Sequence, residues 1–318
     1  MINNKSLCSA FWNHTNIRGG DRVFPCCRFK QPIAQFDGNL ENVLLSPEYH
    51  QLRSQSLNGE FISECQKCYN EEALGKKSLR QEFNETYNTE SVELKYFEIG
   101  FDNICNLTCD GCWGEFSSAW ANIENPTGPK KLNILNTTEI TNIPESIDRV
   151  VFLGGEPLMT NKHYKFLKKL KNLSNISLKY YTNGTFLFDQ QELELLSQFK
   201  KVEITLSIDG YAELNDTVRS GSHWKDILKF IEQVKSTSFD FNIHSVIHVN
   251  NWFGFLELSK FIESVKIKWT TNILTYPKKL DIINLTPSDK NKLKDLLASI
   301  ENFPNKEYVL NHIKNKTT

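Results

Sequence analysis

"CNLTCDGC", residues 105–112, places three cysteines after a strand-like stretch and just before a tryptophan. Cys105 stands four positions before Cys109, and Cys109 three before Cys112, a trio too tightly spaced to satisfy disulfide geometry among all its members. A shared metal centre accounts for the spacing better. Three thiolates can hold three irons of a four-iron cubane and leave the fourth without a protein ligand, open to a substrate or cofactor. Spacing alone leaves two other sites open: a zinc ion completed by a distant histidine, and a redox cluster with a remote fourth ligand.

Outward from this run the chain alternates short β-branched stretches with amphipathic ones. Strands are predicted at 94–101, 149–155, 177–184, 201–210, 241–249 and 267–274. Apolar residues recur at helical spacing at Trp224, Ile227, Leu228, Ile231 and Val234, at Phe255, Leu258, Ile262 and Val265, and at Leu293, Leu296, Leu297 and Ile300. Thr286 and Pro287 read as the N-cap and first residue of the last of these helices. Strand then helix, repeated, predicts a parallel sheet, either an open doubly wound sheet or a barrel, with ligands at the C-terminal strand ends. Those ends carry the cysteine run, "GGEP", "NG", "SIDG" and "NN" (250–251).

Residues 1–92 read differently. They hold few strand-length apolar runs, turns at "RGGD" and "FDGN", a helix starting at Ser46-Pro47 and another over roughly 70–83. Alone, this region would bury little surface, and its five cysteines predict a metal centre in place of a larger core.

The 318 residues are 39% hydrophobic and 24% charged with a formal net charge of −1, which excludes disordered and fibrous classes. Lysines in stretches such as "KFLKKLKNL" (165–173) spread along helical faces instead of forming a basic block, so no nucleic-acid partner is expected. No secretory apolar core opens the chain and no run approaches the ~18 apolar residues of a membrane span, so no membrane partner and a cytoplasmic location are expected. In a reducing compartment eight cysteines serve as metal ligands or redox groups more often than as bridges.

"CNLTCDGC" followed by "FLGGEPL" (152–158), "YYTNGTF" (180–186) and "LSIDG" (206–210), in this order and at strand ends, resembles the radical S-adenosylmethionine (SAM) superfamily over residues 94 to about 275. The resemblance implies an α/β fold, a partial (β/α)6 TIM-like barrel. By it, Cys105, Cys109 and Cys112 ligate a SAM-binding [4Fe–4S] cluster whose open iron takes the methionine amino and carboxylate groups of SAM. Gly154 and Gly155 would let backbone approach the cofactor, and Glu156 would accept from the SAM ammonium. Asn183, Ser207 and Asp209 would lie near the ribose or carboxylate. Arg219 in "NDTVRSGSHW" resembles the arginine that pairs with the SAM carboxylate. Gly154 and Gly155 have a plainer reading as a βα turn, and Asn183, Ser207, Asp209 and Arg219 each have one as a turn or cap residue. The family often has a bulky residue before the third cysteine to pack on adenine; here it is Gly111, and Trp113 either takes that role or covers the cluster.

"RGGDRVFPCC" (18–27), "EYHQLRSQSL" (48–57), "CQKC" (65–68) and "EEALGKKSLRQEF" (71–83) resemble a SPASM or twitch domain, an auxiliary-cluster module usually found after the barrel. "YPKKLDIINLTPSDK" (276–290) fits the C-terminal stretch of twitch-domain proteins. The resemblance implies three parts: a small N-terminal cysteine-rich iron–sulfur domain over 1–92, the partial barrel over 93–284 and a C-terminal helical segment over 285–318. Cys8, Cys26, Cys65 and Cys68 would hold an auxiliary [4Fe–4S] cluster. Cys27 is left as an alternative ligand, a hydrogen-atom donor or a buried small residue. A zinc ribbon on the same four cysteines is the structural alternative.

The chemistry so implied is reductive cleavage of SAM to a 5′-deoxyadenosyl radical that abstracts hydrogen from a peptide or amino-acid-derived substrate, with the auxiliary cluster as electron acceptor or substrate ligand. An electron donor such as flavodoxin or ferredoxin is implied as a partner. Two alternatives stand beside it: oxidation or epimerisation of a small polar molecule such as a sugar or aminocyclitol, and a non-catalytic iron–sulfur or zinc binding protein.

Overall fold

The computed structural model describes residues 6–128, 132, 134–135 and 140–314. In chain order its strands are β1 (His14–Arg18), β2 (Arg22–Phe24), β3 (Ala34–Gln35), β4 (Tyr96–Gly100), β5 (Thr108–Cys109), β6 (Arg149–Leu153), β7 (Ser177–Thr182), β8 (Lys201–Ser207), β9 (Arg219–Ser220), β10 (Asp240–Ile247) and β11 (Lys268–Ile273). Compactness divides the chain into two units, one of residues 1–104, 132–180 and 190–202, the other of 105–131, 181–189 and 203–318. These units follow different boundaries from the motif-based ranges 1–92, 93–284 and 285–318.

In the first unit β4 pairs in parallel with β6, and β6 with the start of β7 (Phe97↔Val150, Phe152↔Tyr180). Both faces of β4 are buried, which is why it reads as a nearly continuous apolar run. Phe97, Phe101, Phe152, Phe166 and Tyr180 form its aromatic core, with Phe152 and Tyr180 centroids 4.7 Å apart. Each such ring, fully buried, contributes roughly 1.5–3 kcal/mol.

The sequence reading did not predict β1. This strand lies parallel to β4 (Asn16↔Glu98) and antiparallel to β2, and β2 pairs with β3. His14, Thr15 and Asn16 are wholly buried, and a polar run of this kind carries no hydrophobic strand signal. Hydrogen bonds take the place of apolar contact: His14 Nδ1 bonds Pro25 O at 2.7 Å, Tyr49 Oη donates to Thr15 Oγ1 at 2.9 Å, and Asn16 Nδ2 donates to Glu98 Oε2.

The helix expected at Ser46-Pro47 spans Pro47–Leu57, with Ser46 Oγ accepting from Tyr49 N at 3.4 Å. In place of one helix over 70–83 there are two, Gln66–Ala73 and Leu79–Thr86. Ser78 restarts the helix through a capping box: its Oγ accepts from Gln81 N at 3.2 Å and Gln81 Oε1 accepts from Ser78 N at 3.0 Å.

In the second unit β8, β10 and β11 pair in parallel (Ser207↔His244, Ile243↔Trp269). Ile204, Leu206, Ile243, Ile247 and Ile273 are buried. The predicted helices form at Trp224–Lys235, which buries Ile227, Phe230, Ile231 and Val234, and at Phe255–Val265, which buries Phe255, Leu258 and Ile262. Thr286 caps the helix Pro287–Ser299 by accepting from Asp289 N at 3.1 Å. A further helix, Lys306–Lys314, follows it.

All six predicted strands of the parallel sheet are present. In each unit successive parallel strands pair in chain order, without the reversal of a doubly wound sheet. The fold class is α/β, of the partial-barrel kind. Among the described residues no helix is long and apolar enough to cross a membrane.

Candidate cofactor-binding site

The turn after β6 is laced to the segment that leads into the cysteine run. Gly155 N donates to Asp102 O at 3.1 Å and Glu156 N to Ile104 O at 2.8 Å. A Cβ on Gly155 would stand 2.1 Å from Ile104 O, and one on Gly154 2.6 Å from Asp102 O. The space that these glycines leave is therefore filled by backbone of residues 102–104. Asp102 fixes that segment in turn: it accepts from Ile104 N at 2.9 Å and pairs with Lys162 Nζ at 2.6 Å. Glu156 is buried, and its Oε1 accepts from Leu158 N at 3.1 Å. Gly154, Gly155 and Glu156 all belong to the first unit.

The other residues expected at the SAM site, Cys105, Cys109, Cys112, Trp113, Asn183, Ser207, Asp209 and Arg219, belong to the second. Two-residue strands β5 and β9 form an antiparallel ribbon in which Cys109 pairs with Arg219. Asp110 N extends it by donating to Val218 O at 2.7 Å. The helix Ser118–Glu124 braces the run: Ser118 Oγ accepts from Cys105 N at 3.1 Å, Ser117 Oγ donates to Leu107 O at 2.7 Å and Trp120 Nε1 donates to Cys109 O at 3.0 Å. The three thiols are partly exposed and free of disulfides.

Asn183 sits beside Cys105, its Nδ2 4.0 Å from Cys105 Sγ and donating to Asn106 Oδ1 at 3.0 Å, its Oδ1 accepting from Thr185 N at 2.9 Å. Asp209 Oδ2 pairs with Arg219 Nη1 at 2.7 Å, while its Oδ1 accepts from Val246 N at 2.7 Å. Ser207 lies in register with His244. Burial opposes the Arg219 charge, but negative charge at Cys109, when it is a thiolate, and at the Asp209 carboxylate outweighs it and holds the guanidinium charged.

The missing bulk at Gly111 has a structural explanation. Its φ of +76° is left-handed, and a Cβ there would lie 2.6 Å from Leu274 Cδ2, so Leu274 occupies the place a side chain would take. Trp113 packs edge-on against Phe116 and Tyr276, centroids 4.8 and 5.2 Å away. Sequence reasoning missed Leu274, Tyr276, Asn106 and a group after β10. In that group Asn250 Nδ2 donates to Asp110 Oδ2 at 2.8 Å, and His248 Nδ1 accepts from Asn250 N at 3.3 Å. Only "NN" (250–251), at a strand end, hinted at this group.

The donor chemistry fits an iron–sulfur cluster. Leu107 N–H points at Cys105 Sγ at 3.5 Å, and such N–H···S contacts suit a thiolate ligand. Burial pushes the Cys109 thiol up to about 11 and the Cys112 thiol up to about 12, with Arg219 opposing at both, so a bound cation is what would hold them as thiolates. Among the described residues no three Cys, His, Asp or Glu side chains stand close enough for a single metal ion.

Cys8, Cys26, Cys65 and Cys68 are buried in the first unit, the first three in one apolar cluster with Phe11, Phe24 and Phe29. Cys8 lies within electrostatic reach of Cys65 and Cys68, and Cys26 of Cys8 and Cys65. Backbone N–H groups of Ala10, Arg28 and Arg80 point at the sulfurs of Cys8, Cys26 and Cys68. Burial pushes the Cys8 and Cys65 thiols up to about 12. Cys27 is exposed, and its carbonyl accepts from Arg18 Nη2 at 3.3 Å.

Among curated proteins the chain is similar to a GTP 3',8-cyclase of Alkaliphilus oremlandii (strain OhILAs), 26% identical over 150 residues, covering 45% of this chain and 43% of the relative. It is also similar to a GTP 3',8-cyclase of Campylobacter lari, 24% identical over 177 residues, covering 54% and 53%. The chain thus spans about half the length of the curated relatives it matches. Among solved structures it is similar to native anSMEcpe with bound AdoMet (22% identity, TM-score 0.42, 61% of this chain and 57% of that one). It is similar as well to Streptococcus suis SuiB bound to S-adenosylmethionine (19%, TM-score 0.39, 61% and 41%). The family model of the Radical SAM superfamily matches residues 100–262, just over half of the chain. That span opens at the end of β4, takes in all three clustered cysteines and the ribbon that holds them, and places the protein: the chain belongs to the radical SAM superfamily.

Proposed function

We propose that the chain is a radical SAM enzyme acting on a peptide or amino-acid-derived substrate, with Cys105, Cys109 and Cys112 holding a [4Fe–4S] cluster. Such a cluster with bound SAM supplies a 5′-deoxyadenosyl radical able to take hydrogen from a substrate carbon. The observation that carries this reading is the β5–β9 ribbon with Asn183 beside it, which gathers three separate motifs around partly exposed thiols. Arg219, paired with Asp209, keeps a fixed positive charge beside Cys109 and offers a counter-charge to a bound carboxylate. Asn183, Ser207 and Asp209 are assigned to the ribose and carboxylate side of SAM, Glu156 to its ammonium, Gly154 and Gly155 to close backbone approach, and Trp113 to the cover of the cluster. An electron donor such as flavodoxin or ferredoxin completes the system. Anaerobically reconstituted protein with a strong reductant is expected to convert SAM to 5′-deoxyadenosine, and Cys109→Ala to abolish it. No cleavage by protein with its cluster intact would favour the non-catalytic reading.

The N-terminal cysteines are assigned, as a twitch or SPASM-like centre, to an auxiliary [4Fe–4S] cluster on Cys8, Cys26, Cys65 and Cys68. The N–H groups aimed at three of those sulfurs support this. Two cubanes require about eight irons per chain; about four irons with one zinc would show the second site to be a zinc ribbon.

A second reading, a small polar substrate, is favoured by polar side chains in register across the second unit's sheet: Thr205 with Asn242, and Ser207 with His244 and Thr270. Thr205 Oγ1 is buried without a hydrogen-bond partner among the described residues. The curated relatives are named for action on GTP, so GTP belongs in the same assay. Substrate-dependent SAM consumption with GTP or an aminocyclitol, and none with peptides, would move the assignment to this class.

A further inference from the structure

The N-terminal cysteines lie among charged side chains that ligation by sulfur does not require. Arg80 is buried and joins two of the cysteine segments: its Nη1 donates to Leu7 O, next to Cys8, at 2.9 Å, and its backbone N–H points at Cys68 Sγ. Its Nε and Nη2 grip both carboxylate oxygens of Glu72 at 3.0 and 2.6 Å, a bidentate pair that fixes the guanidinium plane. Arg28, two residues after Cys26, pairs at 3.3 Å with Glu71, which is 2% exposed and also takes Lys76 Nζ at 3.4 Å. Each arginine thus ties a separate cysteine segment to the helix Gln66–Ala73, the helix that carries Cys68.

We propose that Arg80, assisted by Arg28, is a positioning residue that raises the reduction potential of the centre on Cys8, Cys26, Cys65 and Cys68. The inference deepens the auxiliary-cluster reading and rests on it. Four thiolates give the site a negative charge that grows when an electron is added, and a buried guanidinium held among their segments stabilises the more negative state. Glu72 holds that guanidinium in place and offsets part of its charge. With four thiols for four irons the centre has no position for a substrate ligand, which favours the electron-accepting role.

The test uses the full chain carrying Cys105→Ala, Cys109→Ala and Cys112→Ala, reconstituted anaerobically with iron and sulfide so that only the N-terminal centre remains. About four irons per chain are expected; absence of iron would remove the auxiliary-cluster reading itself. The potential is then followed by electron paramagnetic resonance during a redox titration. Arg80→Gln is expected to lower it, Arg80→Lys to keep it near the parent value, and Glu72→Gln to raise it, all at unchanged iron content. An unchanged potential in both Arg80→Gln and Glu72→Gln would overturn the inference. Should Arg80→Gln fail to take up iron, Glu72→Gln decides alone, a rise supporting the inference and no shift or a fall overturning it.

Discussion

Cys109 and Arg219 face each other as backbone partners in the two-residue ribbon, and the side chain of Arg219 reaches Asp209 Oδ2 at 2.7 Å. The geometry of the cysteine run therefore depends on a buried ion pair from the ends of β8 and β9.

Asp209→Asn is expected to lower stability by roughly 3 kcal/mol, because it leaves the Arg219 charge buried without its partner. Urea unfolding of the two proteins measures it. A loss of less than about 1 kcal/mol would mean that solvent already screens the pair.

Gly155→Ala is expected to cost about 1–3 kcal/mol, since its Cβ would lie 2.1 Å from Ile104 O and backbone must move. A thermal shift checks this, and a melting temperature equal to the parent's would contradict the close approach.

His248 is kept neutral by burial, against the pull of Asp209 and Asp110, so its folded-state pKa lies below the ordinary histidine value. The unfolded chain then binds a proton that the native state resists. The stability this group contributes is complete above about pH 6.5 and is lost as pH falls toward the depressed value. Unfolding midpoints between pH 7.5 and 5 should fall more steeply for the parent than for His248→Gln; parallel slopes would show that His248 takes no part.

Glu156→Gln is expected to weaken SAM binding by about ten-fold or more, the loss of a charge-assisted hydrogen bond. Calorimetric titration of reconstituted protein gives the affinity. An unchanged value would remove Glu156 from the ligand site and leave it as the cap of the short helix Pro157–Met159.

The six parallel strands are legible in the sequence because their burial is apolar, and the cysteine run because its spacing permits few chemistries. β1 is not legible, since His14, Thr15 and Asn16 are buried by hydrogen bonds to distant residues such as Tyr49 and Glu98. The break between the helices Gln66–Ala73 and Leu79–Thr86 was readable, as "SLRQ" (78–81) is a capping-box pattern. Leu274 against Gly111 leaves no local trace, because two loop residues far apart in sequence share one space. The Asp209–Arg219 pair was half legible: both residues drew attention as ligand contacts, and nothing in either motif announces that they bind each other.

The parallel pairing of β1 with β4 carries a consequence for how the chain is made. Asn16 and Glu98 are bonded across 82 positions, so β1 leaves the ribosome well before its parallel partner is synthesised. Loop closure of that span is a slow, late event compared with hairpin formation between β1 and β2. Cys8 precedes β1 and Cys26 follows β2, so both belong to the part of the chain made before β4. A truncation that starts the chain at residue 93 would strip β1 from β4 and uncover a hydrophobic strand edge open to aggregation.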